Sequence, residues 1–306
     1  MTEAIRTESL TKYYGRVVGV ENLDLRVQPG EIYGFLGPNG AGKTTTIRLL
    51  LDLLRPTRGR ALINGLDARL ESRPVRAQVG YLPAEMALYP EMSGGAFLDF
   101  LSRLQRAPVD ARWRQRLFAR FAIGEVDVRR RLGDLSHGMK RKFGIVQALM
   151  GRPRVLILDE PTAGLDPLMI EAFAETVAEL KQEGTTTIFL SSHVLSEVER
   201  TCDRIGIIRR GTLARETSLS ELRREMPRRV RLTFAGAAPT PPPAIASSVR
   251  VSAGRGFSPG DGYWDVEWRG PLGELLAAID TAGIADIDIE PFKLEDYVLG
   301  VYSEGA

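Results

Sequence analysis

The sequence predicts an α/β protein: a mainly parallel sheet with an antiparallel β subdomain and a helical insertion, followed by a small C-terminal α+β domain. Three observations predict it. From residue 31 onward, short apolar runs alternate with helical patterns, the order that builds a parallel sheet covered by helices. Between about residues 85 and 150 the strands give way to consecutive amphipathic helical patterns. Near residue 220 strand-like segments dominate, separated by loops rich in proline and glycine. These changes place domains at 1–218 and 219–306, with a helical subdomain at about 85–150.

Each element has its own signal. Within residues 1–30, VVGVENLDLRVQPG alternates apolar and polar positions, as antiparallel strands do. EIYGFLG is a short apolar run ending in glycine; a Gly-rich loop and the helical TTTIRLLLDLL follow. RALINGLD and QVGYLP read as short strands. The insertion carries three helices: GGAFLDFLSRLQR, ARWRQRLFARFAI and GMKRKFGIVQALMG. After it come RVLILDE (strand), LMIEAFAETVAELKQEG (helix, stopped by glycine), TTTIFLSS (strand), VLSEVERTC (helix) and RIGIIRRGTLA (one strand). In the C-terminal domain RRVRLTF, SSVRVSA, YWDVEW and IADIDIE read as strands, and PLGELLAAIDTAG and FKLEDYVLGVYS as helices. Its loops are GAAPTPPPAIA and GRGFSPGDG, and Asp286, Asp288 and Glu290 share one strand face, expected to be solvated.

Composition is that of an ordinary globular protein, 43% hydrophobic and 26% charged in 306 residues. A net charge of only +2 gives little support to nucleic-acid binding, and no nucleic-acid partner is expected. The single cysteine, Cys202, leaves no internal disulfide and fits a reduced compartment. MTEAIRTESL lacks the apolar core of a signal peptide. The longest apolar stretches, such as IRLLLDLL, are broken by charges and fall short of the ~20 residues of a membrane span. A soluble chain is expected, held at any membrane by something else.

GPNGAGKT, residues 37–44, matches G-x-x-x-x-G-K-[ST] between a strand and a helix, where the motif belongs. Gly37, Pro38, Asn39, Gly40, Ala41 and Gly42 form a loop whose glycines let successive N–H groups point at phosphate oxygens. The helix start adds partial positive charge. Lys43 can reach the outer phosphates, the Thr44 hydroxyl can bind Mg²⁺, and Thr45 extends the site. The mainly parallel sheet is thus that of a P-loop NTPase. Such a loop does not choose among kinases, GTPases, helicases and transporters. In RVLILDE the strand delivers Asp159 and Glu160 to its C-terminal end, where ligands sit in an open parallel sheet. Asp159 suits a water-mediated Mg²⁺ contact, and Glu160 suits a general base that deprotonates an attacking water.

In order, the chain shows Tyr14 ahead of a glycine, GPNGAGKT, GYLPAE, LSHGMKRK, VLILDEP, AGLD and a histidine after TIFLSS. These resemble the aromatic loop, Walker A, Q-loop, signature, Walker B, D-loop and H-loop of the ATP-binding cassette (ABC) ATPases, over about residues 4–215. LSHGM departs from that family's LSGGQ at His137 and Met139. This loosened signature and the appended domain resemble the subfamily that powers bacterial efflux pumps. The resemblance implies ATP and Mg²⁺ as cofactors. It also implies a homodimer or pseudo-symmetric dimer, with ATP on one Walker A closed over by the other subunit's signature. Ser136 and the Gly138 N–H would then bond the γ-phosphate, with His137 nearby. Tyr14 would stack on adenine, Asp166 would link the two sites, and His193 would contact the γ-phosphate while holding Glu160 and the water in line. Lys140, Arg141 and Lys142 read as a solvated helix face. The Q-loop position holds Ala84, which offers Mg²⁺ no side-chain oxygen; Glu85 is expected to supply it.

By the same resemblance the chain is the ATP-hydrolysing subunit of an exporter, cytoplasmic and peripheral on the inner face of the cell membrane through a transmembrane permease partner. Two other classes stand beside it. A soluble ABC-type ATPase of DNA repair or translation would carry long coiled-coil insertions or a second cassette, neither of which is present in 306 residues. A weakly hydrolysing regulatory subunit would fit LSHGM and Ala84. The C-terminal domain carries no evident metal-ligand cluster and is expected to add dimer contacts.

Overall fold

The computed structural model describes residues 2–86, 88–105, 109–226, 228–243, 245–253, 262–279, 281, 283–290 and 293–303. It divides into two compact units, Met1–Thr217 and Ser218–Ala306.

A six-stranded sheet organises the first unit, in the order Thr212–Ser218, Arg204–Arg209, Ile32–Leu36, Thr187–Ser192, Val155–Asp159, Val79–Leu82. From Arg204–Arg209 to Val79–Leu82 every neighbouring pair is parallel. The three middle strands, IYGFL, TIFLSS and VLILD, are buried along their whole length. Strands covered on both faces read as unbroken apolar runs, which is how these segments appear in the sequence. Phe189 stacks on Tyr33 at 5.7 Å and leans on Phe35 at 5.3 Å. Since the strands are parallel, their carboxyl ends share one edge. The loop after Leu36, Glu160 after Asp159, and His193 after Ser192 all start there.

An antiparallel sheet centres on Ile5–Tyr14, which pairs with Val17–Leu23, Arg26–Val27 and Arg58–Ile63; the last pairs on with Leu66–Asp67. Its register against Val17–Leu23 shifts between Leu10 and Lys12 and again before Tyr13. Such irregularities re-aim a strand end, and Tyr14 beyond them is 45% exposed. Leu10, Val20 and Leu23 share one core with Ile47 and Leu50 of the helix Lys43–Leu50. The antiparallel sheet is thereby packed onto the helix that follows the phosphate loop.

The helical region holds Gly94–Gln105, Ala111–Arg120 and His137–Leu149, on the three amphipathic patterns of the sequence. A further helix, Glu125–Arg129, has five residues, too few for a period to show. Trp113 anchors this region to the end of His137–Leu149. It is 1% exposed, donates from Nε1 to the Leu149 carbonyl at 3.0 Å, and carries the Arg152 guanidinium 4.4 Å from its ring centre.

Two expectations are corrected. RIGIIRRGTLA is two strands, Arg204–Arg209 and Thr212–Ser218, joined by a two-residue turn with Arg210 at φ +50° and Gly211 at φ +84°. Positive φ at both turn residues is the tight hairpin geometry; with arginine in place of the usual asparagine, the turn is not evident from sequence. The second is a helix, Leu219–Glu225, where the sequence reading placed none. Its signal was present: Ser218 and Glu221 form a reciprocal capping box.

In the second unit four antiparallel strands run Val249–Ala253, Gly262–Trp268, Arg228–Phe234, Ile284–Glu290. One face packs Val230, Leu232, Phe234, Trp264 and Val266 with Leu275 of the helix Leu272–Ala277. On the other face Asp286, Asp288 and Glu290 are exposed and stand opposite Thr233, Arg231 and Arg229. Arg231 also donates from Nε to Asp265 Oδ1 at 2.8 Å. Acids alternating with arginines across strands make a charge-paired surface. The loop GRGFSPGDG, apart from Gly262, lies outside the described residues. The last helix is Leu294–Ser303. Among the described residues no helix is long and apolar enough to cross a membrane.

Because the Phe189 ring joins both neighbouring aromatics in the middle of the parallel sheet, Phe189→Ala is expected to cost about 3–5 kcal/mol. A urea titration followed by circular dichroism should give a correspondingly lower midpoint.

Candidate active site

The loop from Gly37 to Gly42 opens directly into the helix Lys43–Leu50. Gly42, the residue before the helix, lies at φ +114°, and Gly40 at φ +79°. A β-carbon at Gly42 would come within 2.6 Å of the Gly19 carbonyl, so glycine is required there by space as well as by conformation. Ala41 N donates to Pro38 O at 3.1 Å, closing the turn. The first helical bond runs from Thr46 N to Gly42 O at 2.9 Å. The N–H groups of Lys43, Thr44 and Thr45 therefore have no intrahelical acceptor. No side chain caps this helix start, and no acid stands in its first turn. A backbone cradle with unused donors and a positive helix end fits a phosphate chain.

Asp159 is wholly buried at the end of Val155–Asp159. The Thr44 hydroxyl donates to its Oδ2 at 2.9 Å and Ser191 to its Oδ1 at 2.5 Å. These bonds pin the phosphate-loop helix and the strand Thr187–Ser192 to one carboxylate. Among the described residues no side-chain cation is bonded to it. Two hard oxygens side by side on a buried anion suit Mg²⁺. Glu160, one residue on, has its carboxylate 17% exposed, with Oε1 3.3 Å from Lys43 Nζ and Oε2 2.7 Å from His193 Nδ1. Lys43 also donates to Gly37 O at 2.6 Å. Glu160 sits at φ +51°, a left-handed conformation that costs a residue with a β-carbon roughly 1–2 kcal/mol. It turns the carboxylate back toward Lys43 and His193.

Tyr14 stands half exposed beside this loop, its hydroxyl 3.5 Å from Thr45 Oγ1 and Lys12 Nζ 5.6 Å from its ring centre. It is thus no core aromatic. Beneath it lies Gly19, a residue that the sequence reading did not single out. A β-carbon there would meet the Tyr14 ring at 2.7 Å and the Thr45 methyl at 3.2 Å.

Ser136, His137 and Gly138 form a second cluster, and none of their hydrogen bonds reaches the phosphate loop. Ser136 caps the helix His137–Leu149, accepting from Met139 N at 3.3 Å. His137 is exposed, and its ring lies so near Gly164 that a β-carbon there would come within 3.0 Å. Asp166 caps Pro167–Glu183, accepting from Met169 N at 3.0 Å. At the Q-loop position Ala84 presents its carbonyl, and Glu85 is exposed.

The reading of Lys140, Arg141 and Lys142 as a solvated face is wrong at its centre. Arg141 is 2% exposed, and Lys140 and Lys142 are half-buried. The Arg141 guanidinium donates to the carbonyls of Pro83, Ala84, Asp159, Glu160 and Pro161. Burial lowers its pKa from the ordinary arginine value, while the negative charges of Asp159 and Glu160 oppose that shift. A charge pattern read along the helix shows three basic residues in a row. It does not show which of them points inward.

A sequence model of the ABC transporter family matches residues 20–163. The chain is 38% identical over 222 residues to the bacitracin transport ATP-binding protein BcrA of Enterococcus faecalis, covering 72% of this chain and 71% of that protein. It is also 38% identical to the daunorubicin resistance ATP-binding protein DrrA3 of Streptomyces coeruleorubidus, covering 72% of this chain and 70% of that protein. Among solved structures, an ATP-binding subunit of an ABC transporter superposes with a TM-score of 0.66 at 32% identity, over 72% of this chain and 92% of that one.

Gly19→Ala is expected to push the Tyr14 ring off its place and weaken ATP binding on the order of fivefold, about 1 kcal/mol. Titration with a fluorescent nucleotide measures it, with an unchanged melting temperature separating the effect from loss of fold.

Proposed function

The chain belongs to the ABC transporter family of ATPases, and from that premise we propose that it is the ATP-hydrolysing subunit of an exporter. The observation that carries the catalytic reading is Glu160, one carboxylate set between Lys43 at 3.3 Å and His193 at 2.7 Å beside the phosphate loop.

In this reading the loop 37–42 and the N–H groups of Lys43, Thr44 and Thr45 bind the triphosphate, and Tyr14 stacks on adenine. Lys43 leaves Glu160 for the outer phosphates, which frees one carboxylate oxygen. His193 keeps the other, donating from Nδ1 to the ionised group, and its Nε2 is left for the substrate. Glu160 takes a proton from water as the water oxygen bonds to the γ-phosphorus. The bond to the bridging oxygen of ADP breaks, and phosphate leaves. Thr44 and Asp159 would hold Mg²⁺, whose charge stabilises the phosphate oxygens. Glu85 supplies the side-chain oxygen that Ala84 lacks.

Ser136, His137 and the Gly138 N–H belong to the nucleotide of a second subunit, where the start of His137–Leu149 turns its positive end to the γ-phosphate. Two subunits close on two ATP and open after hydrolysis. The ligand shifts this equilibrium because it touches both subunits only when they are closed. Motion passes to a transmembrane permease that holds the chain at the inner face of the membrane. Export is supported by relatives whose names carry bacitracin transport and daunorubicin resistance. Residues 1–218 then form the ATPase domain, with its helical subdomain at about 85–150, and 219–306 an accessory domain that adds dimer contacts.

Glu160→Gln is expected to lower hydrolysis by at least ~100-fold and to trap an ATP-bound dimer, read by phosphate release and by size-exclusion chromatography. Turnover like the parent's would show that the base is another residue. Glu85→Ala is expected to raise the Mg²⁺ concentration needed for half-maximal turnover by about tenfold; an unchanged Mg²⁺ titration removes Glu85 from the site. Affinity capture from detergent-solubilised membranes should recover a polytopic membrane protein, and its absence would count against coupling to transport.

A further inference from the structure

Arg141 stands in the first two turns of His137–Leu149, the helix capped by Ser136. Its five N–H groups meet five backbone carbonyls. Nε donates to Pro161 O at 3.1 Å. Nη1 donates to Pro83 O at 2.6 Å and Ala84 O at 3.1 Å, and Nη2 to Asp159 O at 2.9 Å and to Glu160 O. Among the described residues it forms no ion pair with a carboxylate, and it is 2% exposed. A buried cation satisfied wholly by main-chain oxygens recognises nothing outside the protein; it organises the backbone around it.

Three of the five carbonyls are consecutive, Asp159, Glu160 and Pro161. For all three to reach one guanidinium the chain has to turn on itself between them, and it does so at Glu160, φ +51°. A residue with a β-carbon keeps that conformation only where its surroundings enforce it. The amide of Glu160 donates to Ser191 O at 3.1 Å. The remaining two carbonyls belong to the segment 83–84, so the same side chain fastens that segment to the turn.

We propose that Arg141 is a positioning residue for hydrolysis: its guanidinium holds the left-handed turn at Glu160, aiming the carboxylate at Lys43 and His193, and locks residues 83–84 to the same point. The proposal rests on the reading of Glu160 as the base. It also makes the signature helix mechanically continuous with that base, because a shift of the helix start is passed to Glu160 through one side chain.

The test measures kcat and KM for ATP on the full chain, for the parent, Arg141→Lys, Arg141→Ala and Glu160→Gln. Arg141→Ala is expected to lose about 30–100-fold in kcat with KM changed less than ~3-fold. Lysine is expected to recover only part, because three N–H groups cannot span five carbonyls. Millimolar methylguanidinium, but not methylammonium, should restore turnover of the alanine variant at least about fivefold. If Arg141→Ala does not fold, Arg141→Lys carries the test, with an expected loss of about tenfold in kcat at parental KM. Parental kcat in a folded Arg141 variant overturns the proposal. So does a fall in kcat with a comparable rise in KM and a lower melting temperature without guanidinium rescue, which marks a merely structural role. Glu160→Gln turning over like the parent would instead remove the base assignment, whereas an inactive Glu160→Gln beside fully active Arg141 variants refutes the positioning role alone.

Discussion

The site depends on one buried carboxylate. Asp159 accepts the Thr44 hydroxyl from a helix 115 residues earlier and the Ser191 hydroxyl from a strand 32 residues later. A carboxylate in the interior is tolerated only when its oxygens are satisfied. The pairing therefore sets the phosphate-loop helix, the strand Val155–Asp159 and the strand Thr187–Ser192 in fixed relation. Lys43, Glu160 and His193 each lie one or two residues from those anchors, and their contacts at 3.3 and 2.7 Å follow from it. The parallel sheet supplies the common edge, and Asp159 supplies the register along it.

A second cluster, around Ser136, His137 and Gly164, is built on different elements. Here the polar groups of the signature-like and D-loop-like segments are turned to capping: Ser136 on its own helix and Asp166 on Pro167–Glu183. Caps fix the direction of a helix start, which is what an anion held against it needs. The exposed His137 ring lies against Gly164, so the start of His137–Leu149 and the segment ahead of Pro167–Glu183 are in contact. Arg141 connects this cluster to the first. The two clusters are joined on one chain by a guanidinium whose hydrogen bonds go to main-chain carbonyls.

The second unit has its own core around Phe234 and Trp264, whose rings meet edge to face at 4.8 Å. On its opposite sheet face Asp288 and Glu290 stand opposite Arg231 and Arg229, and Asp286 opposite Thr233. Among the described residues of this unit no three His, Cys, Asp or Glu side chains gather as a metal-ligand group. Alternation of acid and apolar residues along IADIDIE already implied a two-faced strand, but which charges stand opposite was set by pairing.

What the sequence determined by itself was local. Glycine spacing in GPNGAGKT defined the phosphate loop, unbroken apolar runs marked the doubly covered strands, and a 3.6-residue period marked the longer helices, since each of these signals lies within a dozen neighbouring residues. Short or atypical pieces escaped it: Glu125–Arg129 has too few residues for a period, and the Arg210–Gly211 turn has arginine where asparagine is usual. Tertiary structure alone decided that Arg141 points inward, that Gly19 lies beneath Tyr14, and that Glu160 adopts a left-handed backbone. Each depends on what a distant segment places opposite the residue, and a linear pattern carries a residue's chemistry and rhythm but not its neighbour across the fold.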